Sequence, residues 1–174
     1  SGTVSVNADG VSIDYTPAAN FNGTGTITYT VSDGTDTSTG TLTVTVTAVN
    51  DAPVAIADTA TVLEDSALTN IDIISNDTDV DVTDTLTLIT AIPDSNGTVS
   101  VNADGVSIDY TPSSNFNGTE VITYTVSDGT ATSTGTLTIT VTAVNDAPVA
   151  VSDTAIVDED TSLTVDVISN DTDV

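Results

Sequence analysis

Residues 97–112 read GTVSVNADGVSIDYTP, and residues 2–17 carry the same letters. Residues 2–49 and 97–144 match at all but six positions, so the chain repeats with a period of 95 residues. A fixed period of this kind is the signature of an array of equivalent units. Because 95 residues are too many for one turn of a solenoid and suit a whole small β-domain, we expect each period to be one domain.

Alternation of apolar and polar residues predicts the secondary structure of each period. In residues 41–48, Leu42, Val44, Val46 and Ala48 fall on one face and threonine fills the other. That pattern is typical of strands with one buried face, and Asn-Gly and Asp-Gly pairs mark turns between such runs. No segment has a helical period, so the fold class is expected to be all-β, with each period an antiparallel β-sandwich of two sheets.

The segment AVNDAP marks the domain boundaries, because its proline cannot continue a strand pairing. It occurs at residues 48–53 and 143–148, which makes residues 50–144 one complete domain. Residues 1–49 are then the C-terminal half of a preceding domain. Residues 145–174 are the N-terminal part of a following one, with two strands.

The complete domain is predicted to have seven strands. An odd number of antiparallel strands brings the chain in at one end and out at the other, so domains join end to end. An entry end and an exit end then meet at each junction between neighbouring repeats of the same chain. The predicted strands are residues 54–62, 67–74, 84–91, 98–102, 106–111, 120–127 and 134–143.

Each of the two partial domains would expose an apolar face and unpaired sheet edges. A pairing between molecules would remove this exposure. We therefore expect residues 145–174 of one molecule to pair end to end with residues 1–49 of the next.

The composition restricts the partners of the chain. It has 26 Asp and Glu residues and no Lys, Arg or His, for a formal charge of −26. Nucleic acids and anionic membranes are poor partners for this field, and no apolar run is long enough for direct membrane insertion. The usual catalytic bases and nucleophiles are missing, as are the thiols for disulfides, so we do not expect an enzyme. Self-repulsion would oppose folding unless cations neutralise it.

Acidic residues and asparagines concentrate at the predicted strand ends. Those expected at the entry end of the complete domain are Asn50, Asp51, Asp77, Asp79, Asp81 and Asp128, with Asp33 as the counterpart of Asp128 one period earlier. Those expected where its exit end meets the following domain are Glu64, Asp65, Asn145, Asp146, Asp171 and Asp173, with Glu159 as the counterpart of Glu64 one period later. Isolated aspartates such as Asp14 and Asp36 fit the simpler interpretation that Asp favours turns and strand ends.

Calcium is the cation that this residue set favours. Ca²⁺ takes six to eight oxygen ligands in loose geometry, from carboxylates, Asn side chains and backbone carbonyls. Mg²⁺ requires stricter octahedral geometry, and zinc and copper require His or Cys, which the chain lacks. The sequence therefore predicts Ca²⁺ at the domain junctions.

Several of these segments resemble a known family. LTITVTAVNDAP at 137–148 resembles the end of a cadherin repeat, YTVSDG at 124–129 its penultimate strand, and Asp77-Thr78-Asp79 its DxD ligand motif. Over nearly its whole length the chain is similar to bacterial cadherin-like tandem-95 repeats, which are related to VCBS repeats. Such repeats occur in the extender regions of giant RTX adhesins of marine bacteria. One departure is Val82-Thr83, where a glycine often follows the DxD run.

The resemblance implies tandem cadherin/Ig-like β-sandwiches that act as a spacer, rigidified by calcium, on the surface of a Gram-negative bacterium. Such a spacer projects a distal adhesive region away from the cell. An alternative is a module that itself binds carbohydrate or protein, although aromatic residues make up only 3% of the chain. Ice binding through the outward threonine rows is a further alternative, disfavoured because sandwich sheets twist.

Overall fold

A computed structural model describes residues 2–174 of the chain. The fold consists of short strands joined by turns. Within this range the chain forms strands and no helix, and so no helix that could cross a membrane. The strands are β1 (Gly2–Val6), β2 (Ile13–Pro17), β3 (Gly23–Ser32), β4 (Thr37–Val46), β5 (Asp58–Leu63), β6 (Leu68–Asp72), β7 (Thr87–Pro93), β8 (Gly97–Val101), β9 (Ser107–Pro112), β10 (Gly118–Ser127) and β11 (Thr132–Thr142).

Strands β5 to β11 form the predicted complete sandwich of seven strands. One sheet has the order β5-β11-β10-β7 and the other the order β6-β9-β8. Alternate residues of both sheets point into one core, as expected for strands with one apolar face. The buried apolar residues are Val62, Ile73, Ile74, Leu88, Ile108, Tyr110, Ile122, Tyr124, Val126, Leu137, Ile139 and Val141.

The first strand of this sandwich begins later than the predicted residue 54. Val54 forms only an isolated bridge with Thr78, and the N–H of Ile56 donates to Asp77 Oδ1 at 2.7 Å. These residues are therefore hydrogen-bonded to the acidic loop instead of to a strand. The third strand also begins later than predicted, because the N–H of Asp84 closes a turn onto the carbonyl of Asp81 at 2.8 Å.

One strand pair departs from the antiparallel expectation. β5 and β11 pair in parallel, in a register from Leu137 opposite Asp58 to Thr142 opposite Leu63. The odd number of strands explains the difference, because the first and last strands of such a domain run in the same direction. Their pairing also places the chain entry and the chain exit at opposite ends of the sandwich.

Residues 2–46 form two separate hairpins, β1-β2 and β3-β4, instead of a closed sandwich. Apolar side chains of these hairpins are about half exposed to solvent. Tyr29 has 44% and Val31 56% of its surface exposed, whereas their counterparts Tyr124 and Val126 are fully buried. The strands that cover these counterparts belong to the first half of the repeat, which residues 2–49 do not contain.

Residues 145–174 do not form the two predicted strands. They contain one isolated bridge, between Val149 and Thr172. Within residues 2–174, the equivalent strands β5 and β6 pair only with β11 and β9 of the second half of the repeat. A segment that carries only the first half lacks the partners that would turn its apolar pattern into strands.

The repeat offers a matched test of the core. Leu137 is fully buried, and Leu42 occupies the same position one period earlier with 40% of its surface exposed. Leu137→Ala is expected to lower the free energy of unfolding of the complete repeat by about 2–5 kcal/mol, because it leaves a cavity. Leu42→Ala in dilute protein is expected to cost well under half as much. Urea unfolding of both variants measures the difference, and equal costs would contradict the exposure of residues 2–46.

Candidate metal centre

The acidic loop at residues 76–81 is folded by its own aspartates. Asp79 Oδ1 accepts the N–H of Asp81 at 2.8 Å, and the N–H of Asp77 closes a turn onto the carbonyl of Ile74 at 3.1 Å. Two hydrogen bonds between Thr78 and Val54, at 2.8 and 3.1 Å, fix the loop beside the chain that enters the domain. Aspartate suits such positions because its short carboxylate bonds to the backbone two or three residues away.

The linker residues Asn50 and Asp51 are hydrogen-bonded to the turn at Asp128 and to the acidic loop. The N–H of Asp51 donates to Asp81 Oδ2 at 2.8 Å, and Asn50 Nδ2 donates to Asp128 Oδ2 at 2.9 Å. The structure therefore joins Asn50 to Asp128 and Asp51 to Asp81, and it does not join all six residues predicted for the entry end into one group. Their role as metal ligands stays a prediction.

Two oxygens of this cluster are buried without a hydrogen-bond partner: Asp77 Oδ2 and Asp79 Oδ2. The other oxygens are occupied, Asp77 Oδ1 by Ile56 and Tyr124 and Asp79 Oδ1 by Asp81. A buried polar atom without a partner costs about 1–3 kcal/mol, and more when it is charged. A cation that bound these two oxygens would remove that cost.

The described residues do not form a preformed metal cage. Within residues 2–174, no group of three or more carboxylates, imidazoles or thiols converges in a way that could hold a metal ion. The two unpaired carboxylate oxygens would therefore need neutral oxygens beside them. Side-chain amides, backbone carbonyls and water serve Ca²⁺ in this way, and Asn50 and the linker carbonyls lie at the same end.

Tyr124 and Asp58 belong to this end of the domain, although the sequence did not single them out. The Tyr124 hydroxyl lies 2.8 Å from the carbonyl oxygen of Ile56, 3.2 Å from Asp77 Oδ1 and 3.3 Å from Asp58 Oδ2. Burial raises the pKa of Tyr124, and the charges of Asp77 and Asp58 raise it further, so the hydroxyl remains a donor. Burial likewise raises the pKa of Asp58, against the opposing hydrogen bond from Tyr124.

The signal that could have revealed these two residues is their recurrence. Asp58 returns as Asp153 one period later, and Tyr124 has Tyr29 as its counterpart one period earlier. Gly135 also contributes, since it stands opposite Tyr124 in the strand ladder and any Cβ there would overlap the tyrosine ring. Its missing side chain leaves the space in which the ring lies.

At the exit end, Glu64 ties the first strand to the start of the next linker. Its side chain is buried, with 5% of its surface exposed. Oε1 accepts the N–H of Val144 at 2.6 Å and Oε2 accepts Asn117 Nδ2 at 3.3 Å. Asp65, exposed beside it, accepts the N–H of Asn115 at 3.1 Å. Glu64 thus contacts Val144, the residue before Asn145 and Asp146, and its role as a metal ligand stays a prediction.

The remaining predicted residues of the second junction are more dispersed. Asp171 Oδ1 accepts the N–H of Val151 at 2.8 Å, which repeats the contact between Asp77 and Ile56. Asn145 Nδ2 donates to the carbonyl of Asp146, and Asp173 Oδ1 accepts the N–H of Val174. These contacts do not link Glu64 to Asp171 or Asp173.

Two predicted residues lie apart from both junction clusters. Asp33 Oδ1 accepts the N–H groups of Thr35 and Asp36 in an exposed turn, and those bonds lower its pKa. Glu159 is exposed in a turn at residues 159–160. Their counterparts Asp128 and Glu64 engage a linker because a complete repeat surrounds them.

Comparison with known proteins agrees with this architecture. The model of the bacterial Ig domain family matches residues 1–47 and 50–140. The chain belongs to this family. The two matched stretches agree with the repeat seen in the sequence and with an all-β, Ig-like fold.

Solved structures similar to this bacterial Ig chain include regions of two endo-fucoidan hydrolases of glycoside hydrolase family 107. For MfFcnA4 the identity is 23% and the TM-score 0.41, over 76% of this chain and 20% of that one. For MfFcnA9 the identity is 18% and the TM-score 0.34, over 80% and 26%. The chain thus spans only about a fifth to a quarter of the length of these enzymes. No curated protein matches it.

Other aspartates of the bacterial Ig repeat shape turns without a hydrogen bond to a linker. Asp104 accepts the Ser107 hydroxyl at 2.6 Å and the N–H groups of Val106 and Ser107 at 3.0 and 3.1 Å. These bonds, with that of the Ser107 hydroxyl the largest, lower the pKa of Asp104 below 3.8. Asp104 therefore represents the turn-forming class of aspartates, in contrast to Asp77 and Asp79.

This lowered pKa predicts the pH dependence of a substitution. A carboxylate whose pKa falls on folding contributes stability above its unfolded pKa and loses it as the pH drops through the folded value. Asp104→Asn is expected to lower the thermal midpoint at neutral pH. The difference from the unmodified chain should shrink once the pH falls below about 3.8. Thermal unfolding monitored by circular dichroism across this range checks the result, and a difference independent of pH would contradict it.

Proposed function

We propose that this chain is a spacer module of a bacterial surface adhesin, in which calcium at the domain junctions holds neighbouring Ig-like repeats in line. Bacterial Ig-like domains are usually parts of secreted or surface proteins, which supports the location. The observation that carries the calcium proposal is the pair of buried, unpartnered oxygens, Asp77 Oδ2 and Asp79 Oδ2, beside the linker.

The linker geometry explains why a cation here would affect domain orientation. Linkers of a few residues leave neighbouring domains free to bend by default. Here Asp51 and Asn50 are already hydrogen-bonded to Asp81 and Asp128 of the following repeat. A calcium ion held by Asp77 and Asp79 would neutralise the charge repulsion that opposes this arrangement.

The resemblance to tandem-95 repeats of RTX adhesins supplies the finer part of the proposal. Near-identical repeats supply length, since each adds one more copy of the same unit. The proposed setting is the extender region of such an adhesin on a Gram-negative cell. Both tyrosines of the complete repeat, Tyr110 and Tyr124, are fully buried, so they offer no aromatic platform for a carbohydrate.

The calcium proposal predicts opposite effects of one substitution in the two metal states. Asp77→Asn with Asp79→Asn keeps acceptor oxygens for the existing hydrogen bonds but removes two partly buried charges. Without calcium the double variant is expected to be at least as stable as the unmodified chain. With calcium at about 100 times its Kd, the unmodified chain should gain about 2.7 kcal/mol, and the variant should gain little of this. Thermal unfolding in EGTA and in calcium measures both effects.

Asp104→Asn is the control, because it removes one acidic charge from a turn whose aspartate has no hydrogen bond to the linker. It should retain the full calcium response. An equal loss of response in this control would show that calcium acts through overall charge instead of through the junction. A response to magnesium as large as that to calcium would contradict the assigned metal.

The spacer role has a separate test by small-angle X-ray scattering. The 174-residue chain in calcium is expected to have a longer maximum dimension and a more rod-like profile than in EGTA, because a bound ion restricts bending at the linker. Dilute samples keep association out of the measurement. Identical profiles in the two buffers would contradict rigidification, even if calcium binds.

A further inference from the structure

We infer that the outer face of the four-stranded sheet β5-β11-β10-β7 is a self-association surface, on which the same face of a second copy of this chain packs. This face lies wholly within the complete repeat at residues 50–144. The inference does not depend on calcium. It rests on which residues of the four strands point outward and on where the charges of the repeat lie.

Threonines cover this face in register across neighbouring strands. Thr140 stands opposite Thr61 of β5 on one side and opposite Thr119 of β10 on the other. Thr136 stands opposite Thr123. All five side chains are exposed. Since each threonine carries a methyl group and a hydroxyl, the face offers both apolar contact and hydrogen-bonding groups across its width.

Apolar side chains stand among the threonines near the middle of the sheet. Val121 of β10 lies opposite Thr138, and Ile92 of β7 lies opposite Thr123. Val121 is 37% and Ile92 63% exposed. A hollow of about 430 Å³ beside them is lined by Ile92, Pro93, Asp94, Val121 and Thr123. A packing partner would cover these apolar groups and fill the hollow.

The outer face of these four strands, all of which lie in the described part of the chain, carries no carboxylate. The strands contain two acidic residues, of which Glu120 is fully buried and Asp58 lies on the core side, 3.3 Å from the Tyr124 hydroxyl. The other sheet differs, because Asp72 and Asp109 alternate with its core residues and point outward. In a chain of formal charge −26, the uncharged face lets two copies meet without bringing carboxylates together.

The shape of the face also favours another copy of the same sheet as the occupant. Sheets twist with a fixed hand, and two twisted sheets pack face to face at about −30° and about 10 Å apart. A contact between identical faces then sets uncharged surface against uncharged surface. A cationic partner would be drawn to the acidic ends of the domain instead. The one aromatic residue of these strands, Tyr124, is fully buried and offers no platform for a carbohydrate.

The size of the face suits a weak contact in each repeat. Strands β5, β7, β10 and β11 have 6, 7, 10 and 11 residues. At about 3.3 Å per residue and about 4.8 Å between strands they cover about 540 Å², so two copies would bury about 1,100 Å². Stable interfaces bury about 1,200–2,000 Å². The threonine pattern recurs at residues 24–30 and 39–45, and repetition along a chain strengthens weak contacts through avidity.

Thr123→Asp tests the surface, because Thr123 is exposed on a central strand of the sheet and the variant should fold. In about 1 M NaCl, where the screening length falls to about 3 Å, the repulsion between two acidic copies is weakened. The unmodified chain is then expected to show a mass that rises with concentration from 17.5 kDa towards twice that value in sedimentation equilibrium. Thr123→Asp should weaken this association at least about tenfold, because it sets two carboxylates against each other. Thr140→Asp, at another exposed position of the face, should do the same.

Thr111→Asp is the matched control, because it adds the same charge to an exposed position on the outer face of β9, the central strand of the other sheet. It should associate as the unmodified chain does, and urea unfolding checks that all variants are folded. An unmodified chain that stays monomeric at every concentration would overturn the inference. Association that all the variants weaken equally, or that none of them weakens, would overturn it too, because the contact would then lie elsewhere. A monomeric chain that binds a glycan array through Thr123 would assign the face to carbohydrate instead.

Discussion

The pairing of each early strand with a late one is the constraint on which this structure depends. β5 pairs with β11, β6 with β9 and β7 with β10, so neither half of the repeat has a complete set of partners. The core around Tyr124 and Leu137 closes only where both halves are present. This one requirement explains the closed sandwich at residues 50–144, the open hairpins before it and the absence of strands after it. Since the hydrogen bond between Glu64 and Val144 joins residues 80 positions apart, closing such contacts costs substantial loop entropy.

The sequence predicted the strands well because alternation reports which face is buried, and that face depends on neighbours within the same repeat. It failed for residues 145–174, because the counterparts of β5 and β6 need a pairing partner that alternation does not reveal. The parallel pairing of β5 with β11 was missed for a different reason. The odd strand count implies that these two strands run in the same direction, but the antiparallel hairpins along the chain do not indicate that the first and last strands pair. The late start of β5 depends on Asp77 taking the N–H of Ile56, a contact that no local pattern encodes.

The end of the domain at which these acidic residues lie was predictable from the sequence, but their hydrogen bonds were not, and their role as metal ligands stays a prediction. Strand order placed Asp77, Asp79, Asp81 and Asp128 at one end, and the structure brings them there. Which oxygens are satisfied internally depends on backbone turns a few residues long, so the two unpaired atoms could only be seen in three dimensions. The contrast with Asp104 is instructive, since its carboxylate is fully engaged by Ser107 and Val106. The candidate metal ligands Asp77 and Asp79 therefore differ from turn-forming aspartates such as Asp104 by a buried carboxylate oxygen that accepts no hydrogen bond, and the sequence does not show this difference.

The parallel alignment of β5 and β11 has a consequence for a chain under tension. A pull on the two ends of the repeat draws β5 toward the entry end and β11 toward the exit end. Their hydrogen bonds, from Asp58 opposite Leu137 to Leu63 opposite Thr142, then lie across the direction of force and bear it together. A hairpin such as β3-β4 pulled from its open ends would instead lose its bonds one after another. In the complete repeat, the hydrogen bonds between the first and last strands are therefore arranged to be loaded in shear when the two ends are pulled apart.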